Sequence, residues 1–335
     1  MAGRGPFVHI AAVEAGGTKF ALGVVKYSAT GNSFEVISRT EVPTTTPEET
    51  LSACLRWFSE TPEARAGLLS SCGVASFGPV DLEPSSPSFG FITTTPKPDW
   101  ANTDLLSAFS GHFRLPRHRV GFDTDVNAAA LAHIAPASFL SSPTTPSAST
   151  AGQAGGADSI AYITVGTGVG VGIVNAGMPQ HGLLHPEMGH ICVPRHPSEE
   201  EGFEGVCPFH RSCVEGMVAS RAISRRLQVE RTELQSVGDD HPVWGFVAHY
   251  LAHLCATLVL TVYPQRIVIG GGIMQRPCLL PAVRRQCLAL LNGYIRAPPF
   301  QSEASIATYI ALSPFGSDAG LLGASILALR QADIQ

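Results

Sequence analysis

The sequence predicts an α/β protein of two similar domains, and three observations carry that prediction. A pair of apolar strands joined by a Gly/Thr turn occupies residues 8–26, and a second such pair occupies residues 160–174. Further short apolar runs alternate with stretches of helical spacing. The 335 residues also exceed what one ordinary hydrophobic core holds, and they fit two domains of usual size. A repeated hairpin at the head of each half therefore indicates two related α/β domains facing each other.

Composition excludes several classes of function. Apolar residues make up 44% of the chain and charged residues 15%, which is typical of a globular protein with a large core. The formal net charge of −5 offers no basic patch for nucleic acid or for an anionic membrane surface. Residues 1–6 are too short for a signal peptide, and no apolar run is expected to be long enough to cross a bilayer. A cytoplasmic protein with no nucleic-acid or membrane partner is therefore expected.

The elements of the first domain, residues 1–128, follow from apolar runs and turn residues. Strands are predicted at residues 8–14, 20–26, 34–42, 72–76 and 120–122, and helices at residues 47–58 and 128–134.

The second domain is predicted to span residues 129–316. Its predicted strands lie at residues 160–165, 169–174 and 266–269, and a long helix lies at residues 243–263. A C-terminal helix, 317–335, is expected to pack back on the first domain. Residues 136–158 are rich in Ser, Thr, Pro, Ala and Gly, a composition that predicts an exposed, mobile insertion.

Three glycine-rich turns predict a phosphate site. A turn of small residues exposes backbone N–H groups that can surround an anion, and glycine lets the backbone approach a phosphate closely. One such turn is usually an ordinary hairpin turn. Two in matching positions, with a third glycine run after a later strand, favour nucleotide binding. The candidate residues are Gly16, Gly17, Thr18, Lys19, Gly166, Thr167, Gly168, Gly270, Gly271 and Gly272.

Two aspartates and an asparagine follow a predicted buried strand in the run Asp123-Thr-Asp125-Val-Asn127. Any one of them could simply cap the next helix. Ligands of open α/β sheets bind outside the carboxyl ends of the strands, and an aspartate there can accept a proton from a substrate hydroxyl. We therefore assign Asp125 as a candidate general base, and Asn127 as a residue that orients a sugar.

A spacing of Cys-x2-His-x2-Cys predicts a metal site. Cys207, His210 and Cys213 lie on one short segment, and His190 upstream can complete a tetrahedron. Four Cys and His ligands with no open position are typical of structural zinc. The competing ligands nearby are His185, Cys192 and His196.

Two glutamates flank this predicted zinc loop, residues 190–213. Glu187 and Glu215 are well placed to accept hydrogen bonds from sugar hydroxyls, although they could equally be surface acids or supports for the metal ligands.

The motifs together resemble the ROK family (repressor, open reading frame, kinase), in particular its bacterial-type fructokinase branch. The segments that carry the resemblance occur in order along nearly the whole chain: Glu14-Ala-Gly-Gly-Thr-Lys-Phe20, Ser76-Phe-Gly-Pro-Val-Asp81, Thr95-Pro-Lys-Pro-Asp-Trp100, Asp123-Thr-Asp-Val-Asn127, Val165-Gly-Thr-Gly168, His185-Pro-Glu-Met-Gly-His190, Cys207-Pro-Phe-His210, Cys213-Val-Glu215 and Ile269-Gly-Gly-Gly-Ile-Met274.

The resemblance implies a two-domain actin-like ATPase (ribonuclease H-like) fold with a central cleft. It implies an ATP:hexose phosphotransferase of the fructokinase class, with Mg²⁺ bound to ATP, structural Zn²⁺ and a homodimeric assembly. It also implies sugar contacts from Gly78, Trp100 and His190, and nucleotide contacts that extend to Ile273 and Met274.

Other functions remain open at this point. Manno-, gluco- and N-acetylhexosamine kinases share the motif set, although residues 95–100 favour a fructokinase. A sugar-responsive repressor would need a helix-turn-helix ahead of the first strand, where seven residues precede Val8. A catalytically inactive sugar or zinc sensor is the third alternative, and the intact glycine turns and Asp125 argue against it.

Overall fold

The computed structural model describes residues 7–134, 157–199 and 202–332. The chain divides into two compact units. Unit 1 consists of Met1–Asp158, Val174–His185 and Asp318–Gln335, and unit 2 of Ser159–Ile173 and Pro186–Ser317. The predicted insertion at residues 136–158 lies outside the described residues except for its last two.

The strands are β1 Phe7–Ala15, β2 Lys19–Ser28, β3 Ser33–Pro43, β4 Leu69–Ser76, β5 Phe91–Ile92, β6 Thr103–Asp104, β7 Val120–Thr124, β8 Ile160–Val165, β9 Val169–Asn175, β10 Met178–Pro179, β11 Arg266–Gly270 and β12 Ile310–Leu312. The helices are α1 Pro47–Glu60, α2 Pro62–Arg65, α3 Leu105–Phe113, α4 Asp125–Ala132, α5 Val214–Val218, α6 Ser220–Leu227, α7 Val243–Thr261, α8 Leu279–Leu291, α9 Glu303–Tyr309 and α10 Ala319–Ala332.

Unit 1 is built on a five-stranded sheet in the order β3-β2-β1-β4-β7. The first three strands are antiparallel, whereas β1, β4 and β7 are parallel. Cys72 and Val74 of β4 belong to the core that Phe58 of α1 and Phe109 of α3 complete. Gly73 lies between them and therefore faces the opposite side of the sheet.

The opposite side is covered by α10, which approaches the sheet unusually closely. A β-carbon on Gly73 would lie 1.8 Å from the carbonyl oxygen of Ala324. On Gly121 of β7 it would lie 2.3 Å from the carbonyl carbon of Leu327. Glycine at these two strand positions is what allows the helix to lie directly on the backbone.

Unit 2 is built on β9, β8, β11 and β12, with β8, β11 and β12 parallel. The short β10 pairs antiparallel with Val174 and Asn175, the last two residues of β9, and all of these belong to unit 1. The core of unit 2 is centred on α7 and α8, which pack with the apolar side chains of β8 and β11.

One expectation about membrane-spanning length was wrong. Val243–Thr261 is long and apolar enough to cross a bilayer by length and composition, with a mean hydropathy of 1.6 over its best window. Of that window, 67% is buried inside the structure. Tyr250, Leu251 and Leu254 are fully buried in the core of unit 2, which is the packing of a core helix.

Each unit is built from segments that are not contiguous in the sequence. The predicted boundary at residue 128 falls inside α4, which continues to Ala132 as part of unit 1. Residues 174–185 also belong to unit 1, although they follow the first strands of the second half. The described part of the C-terminal helix, α10, packs on β1, β4 and β7 of the same unit.

Candidate functional site

The N-terminus of α4 carries the candidate base. Thr124 is the N-cap, and its hydroxyl oxygen accepts a hydrogen bond from the Asn127 amide N–H at 3.1 Å. The capping role is therefore filled by threonine. Asp125 and Asn127 are left for other contacts.

Asp125 is partly buried where β7 ends. Burial raises the pKa of its carboxyl to about 6, while the hydrogen bond from the Val126 N–H at 2.9 Å acts in the opposite direction. A carboxylate with this pKa is mainly ionised at neutral pH. It is also a stronger proton acceptor than an ordinary aspartate, as a general base requires.

A second carboxyl group, Glu14 at the end of β1, lies in the same part of unit 1. Burial raises the pKa of Glu14 to about 7, and the negative charge of Asp125 adds to that shift. The nearby cations Arg39 and Lys19 act in the opposite direction. Glu14 appeared in the sequence only as part of a motif, and its coupling to Asp125 follows from the fold.

Asp123 holds a polar network that the sequence did not reveal. Its side chain is 2% exposed, and Oδ1 accepts hydrogen bonds from the Thr124 amide at 2.7 Å and from Asn127 Nδ2 at 2.8 Å. Oδ2 lies 3.0 Å from Nε2 of His181, and this hydrogen bond raises the pKa of His181. His181 is 58 residues further along the chain, so no local pattern could have paired the two side chains.

The first glycine turn joins β1 and β2. The Gly16 amide donates to the Lys19 carbonyl at 3.0 Å, and a β-carbon on Gly16 would lie 2.7 Å from that oxygen. Gly17 and Thr18 are exposed at the tip. The Lys19 ammonium pairs with Glu41 at 2.6 Å. The turn therefore offers an exposed backbone tip whose lysine already has a carboxylate partner.

The matching turn in unit 2 joins β8 and β9. The Gly166 amide donates to the Gly168 carbonyl at 2.9 Å, and the Ser220 amide donates to the Gly166 carbonyl at 2.8 Å. Thr167 is exposed at the tip. Both turns join consecutive strands, but the second is closed one residue earlier, and it is tied to the N-terminus of α6.

The third glycine run follows β11. Gly271 has a φ of 93°, and a β-carbon there would lie 2.3 Å from the Val165 carbonyl oxygen, so only glycine fits. Gly272 is exposed. Met274, predicted as a nucleotide contact, is 1% exposed, and its side chain belongs to the core of unit 2. Ile273 packs against the same core.

Trp100, predicted as a sugar contact, lies in the core of unit 1. Its side chain has no exposed surface, and its indole N–H donates to the Thr45 carbonyl at 2.8 Å. The ring packs against Phe20 and Phe77, with centroid distances of 5.3 and 5.7 Å. Trp100 is a core residue that fixes its loop. Gly78 faces His185, whose Nε2 accepts a hydrogen bond from the Val80 amide at 3.2 Å.

The two predicted sugar-binding glutamates differ in environment. Glu187 is exposed at the start of the short 3-10 turn Met188–His190. Glu215 lies in α5, where Oε2 accepts a hydrogen bond from the Val169 amide at 3.1 Å and Oε1 lies 3.5 Å from Arg221. A β-carbon on Gly168 would lie 2.5 Å from Glu215 Oε2. Glu215 is therefore held against the second glycine turn.

Four predicted metal ligands converge in unit 2. The ligand atoms of His190, Cys207, His210 and Cys213 all lie within 4.8 Å of one another. Nδ1 of His190 lies 3.7 Å from the sulfur of Cys207 and 3.5 Å from that of Cys213, and Nδ1 of His210 lies 3.8 Å from Cys207 Sγ.

These separations fit a tetrahedral ion. Zinc bonds of ~2.3 Å to sulfur and ~2.0 Å to nitrogen place a sulfur and a nitrogen about 3.5 Å apart at the tetrahedral angle. The chemistry of two thiols and two imidazoles also matches structural zinc. The competing candidates lie outside the cluster: His185 accepts from Val80, and Cys192 and His196 are absent from the converging set.

The backbone of the zinc loop contains one left-handed residue and several glycines that lie very close to neighbouring carbonyl groups. Arg211 adopts a φ of 52°, and its amide donates back to the Cys207 carbonyl at 3.0 Å. β-Carbons on Gly205 and Gly216 would lie 2.0 and 1.8 Å from the Arg211 carbonyl oxygen. Gly189, beside His190, approaches the Val169 carbonyl in the same way. These close approaches bring the four ligands together.

Each unit therefore collects its own set of predicted residues. Unit 1 holds Asp125, Asn127, Gly78 and the turn 16–19. Unit 2 holds the metal cluster, Glu187, Glu215, the turn 166–168 and the glycine run 270–272.

Comparison with known proteins gives a consistent result. The model of the ROK family matches residues 10–331. A fructokinase of Zymomonas mobilis is 39% identical over 317 residues, with 95% of each chain covered, and a putative fructokinase of Bacillus subtilis is 35% identical over 316 residues, with 94% of each covered.

Among solved structures, a ROK family glucokinase from Streptomyces griseus, in complex with glucose and AMPPNP, matches with a TM-score of 0.68 at 22% identity, covering 96% of this chain and 99% of that one. The fold is that of the actin-like ATPases, as the sequence predicted. The family resemblance inferred from the motifs is confirmed as well. The chain belongs to the ROK family.

Proposed function

We propose that this chain is an ATP-dependent hexose kinase that phosphorylates D-fructose at its 6-hydroxyl. The family membership and the fructokinases that are 35 to 39% identical over nearly the whole chain support the reaction and the sugar. The observation that carries the chemistry is Asp125, a partly buried carboxylate at the end of β7 whose pKa is raised to about 6.

Asp125 would act as the general base. Its carboxylate accepts the proton of the sugar hydroxyl while the hydroxyl oxygen attacks the γ-phosphorus of ATP, and ADP leaves with the electron pair of the broken P–O bond. Asn127, two residues further along the same helix, would orient the sugar hydroxyls, and Glu187 and Glu215 would accept hydrogen bonds from others.

The exposed turn tips at Gly17 and Thr18, and at Thr167, supply backbone and hydroxyl donors for phosphate oxygens. The glycine run 270–272 offers a further close approach to the nucleotide. Mg²⁺ bound with ATP would neutralise charge on the phosphates.

The Cys/His cluster would hold one structural Zn²⁺. Four protein ligands leave no position for water, so this ion would stabilise the loop and not activate a nucleophile. The ligand Cys213 is the N-cap of α5, the helix that carries Glu215, so the ion would fix that glutamate. A homodimer in the cytoplasm is the expected assembly and location by family resemblance.

The sugar is tested with a coupled assay of ADP release across D-fructose, D-mannose, D-glucose and N-acetylmannosamine. We expect the highest kcat/KM for D-fructose, with fructose 6-phosphate as the product. A higher value for another hexose would transfer the assignment to a manno-, gluco- or N-acetylhexosamine kinase. ADP release with none of these sugars would contradict a hexose kinase.

A further inference from the structure

The function proposed above assigns no role to the pair formed by Asp123 and His181. Asp123 belongs to β7, directly before the helix that carries Asp125 and Asn127. His181 belongs to the segment of unit 1 between β10 and His185. The contact between them at 3.0 Å brings an imidazole next to Asn127, whose Nδ2 lies 3.4 Å from His181 Nε2.

The chemistry of the carboxylate fixes the orientation of both partners. An ionised carboxylate only accepts hydrogen bonds, so each group that faces it must donate. Asn127 therefore turns its amide nitrogen towards Asp123, as the 2.8 Å contact shows, and its carbonyl oxygen lies on the far side of the amide group. His181 must carry a proton on Nε2. These two assignments leave a carbonyl oxygen and an imidazole Nδ1 pointing away from Asp123.

The exposure of His181 distinguishes it from a structural histidine. Its side chain is 38% exposed, whereas the neighbouring His185 is 7% exposed and accepts a hydrogen bond from Val80. Nδ1 of His181 has no hydrogen-bond partner among the residues that the structure describes. The chain is also anchored just before β10, because the Arg330 guanidinium donates to the Gly177 carbonyl.

We propose that His181 contacts the hexose and determines its specificity, and that Asp123 is the positioning residue that holds His181 and Asn127 in register. This inference rests on the proposed kinase function. The imidazole Nδ1 bonds to a sugar hydroxyl beside the one held by Asn127. Polar groups that pair with a particular hydroxyl discriminate strongly against sugars that place it differently, because the group is then left unpaired.

The raised pKa of His181 supports this role. The hydrogen bond with Asp123 is the main cause of the shift, and burial acts against it. While Nε2 stays bonded to Asp123, Nδ1 accepts from a sugar hydroxyl when the imidazole is neutral and donates to a hydroxyl oxygen when it is protonated.

The first experiment compares His181→Ala and His181→Gln with the wild-type protein in steady-state kinetics on D-fructose, D-mannose and D-glucose. We expect His181→Ala to raise the KM for the preferred hexose by at least tenfold, with kcat and the KM for ATP changed less than threefold. The ratio of kcat/KM between two hexoses should change at least tenfold. His181→Gln, which retains a side-chain N–H donor, should recover part of the loss.

The matched control is His118→Ala, which removes an exposed histidine elsewhere in unit 1. This variant should change neither the KM for the hexose nor the KM for ATP. Asp123→Asn should raise the hexose KM, and combining it with His181→Ala should add little, because both changes break the same arrangement. A His181→Ala protein that melts at the wild-type temperature with unchanged hexose KM and unchanged sugar ratios would overturn the proposal.

The role of His181 can be tested even if the proposed kinase function is wrong. If the wild-type protein phosphorylates none of these sugars, the kinase function fails, and hexose binding by titration calorimetry then tests His181 directly. Equal sugar affinity for wild type and His181→Ala in that measurement would also overturn the proposal. A tenfold or larger loss of affinity would support it.

Discussion

The carboxylate of Glu14 lies directly against Gly320, where a β-carbon would come within 2.2 Å of Glu14 Cδ. Gly320 belongs to the first turn of α10, and three residues later Gly323 meets the Ala128 carbonyl oxygen, with a β-carbon placed 1.8 Å from it. The two glycines thus face obstacles of different stiffness, one the end of a side chain and the other the backbone of α4.

The same substitution at these two positions should have different costs. Gly323→Ala forces α4 and α10 apart and should destabilise unit 1 by about 3 kcal/mol, as overpacking does. Gly320→Ala displaces only the end of a flexible side chain, and the better helix propensity of alanine offsets about 1 kcal/mol. Urea unfolding measures the free energy of unfolding of both variants. Equal losses of stability would show that Glu14 is as rigid as the backbone.

The pH dependence of kcat/KM should report the carboxyl pair. Asp125 must be ionised to accept a proton, so activity should rise with pH and reach a plateau above its pKa. Burial raises the pKa of Asp125 to about 6 and that of Glu14 to about 7, and interacting groups titrate as a pair. We expect the acidic limb to lie between these values. A profile that stays flat down to pH 5 would contradict this assignment of the base.

Removing the charge of Asp125 should stabilise the protein while it abolishes turnover. The folded-state pKa is raised above the usual 3.8, so ionisation of Asp125 opposes folding. The cost begins as the pH rises above the unfolded pKa and is complete above about pH 6. Partial exposure reduces its size, and Asp125→Asn should gain about 2 kcal/mol at pH 8 and nothing below pH 4.

The neighbouring aspartate supplies the control for that experiment. Asp123 accepts three hydrogen bonds, from Thr124, Asn127 and His181, so Asp123→Asn should destabilise the fold at the same pH. Thermal unfolding at pH 8 and pH 4 compares the two variants. If Asp125→Asn were less stable than wild type at pH 8, burial of its charge would not be the cause of the raised pKa.

Removal of the metal should destabilise unit 2. Freshly purified protein is expected to contain one zinc per chain by plasma mass spectrometry, and Cys207→Ser should lose it. Since metal binding contributes to folding free energy, both this change and chelation should lower the melting temperature. The matched control is Cys192→Ser, an exposed cysteine outside the converging ligands, which should keep its zinc. Wild-type protein that lacks zinc would contradict the site.

Much of this architecture could be predicted because the local patterns are strong. The hairpin predicted at residues 8–26 corresponds to β1 and β2, and that at 160–174 to β8 and β9. The spacing of Cys207, His210 and Cys213 predicted their convergence, since a loop this short brings its own ligands together.

The contacts that sequence reasoning missed depend on tertiary packing. Asp123 and His181 meet only because the chain from Val174 to His185, which begins in the last residues of β9, belongs to unit 1. Glu14 acquires its raised pKa from burial against α10, which comes from the other end of the chain. The burial of Trp100 was missed for the same reason, because a motif identifies a loop but does not tell which of its side chains point into the core.

The variant Trp100→Phe tests whether the loop of residues 95–100 depends on the indole hydrogen bond to Thr45. Trp100→Phe keeps an aromatic ring between Phe20 and Phe77 but removes the indole N–H that donates to the Thr45 carbonyl at 2.8 Å. Loss of this hydrogen bond should cost about 1 kcal/mol in unfolding free energy, because Thr45 is exposed and water can replace the donor. Because the side chain has no exposed surface, the hexose KM of the folded variant should stay within threefold of wild type. A tenfold higher KM with unchanged stability would support the prediction that Trp100 contacts the sugar.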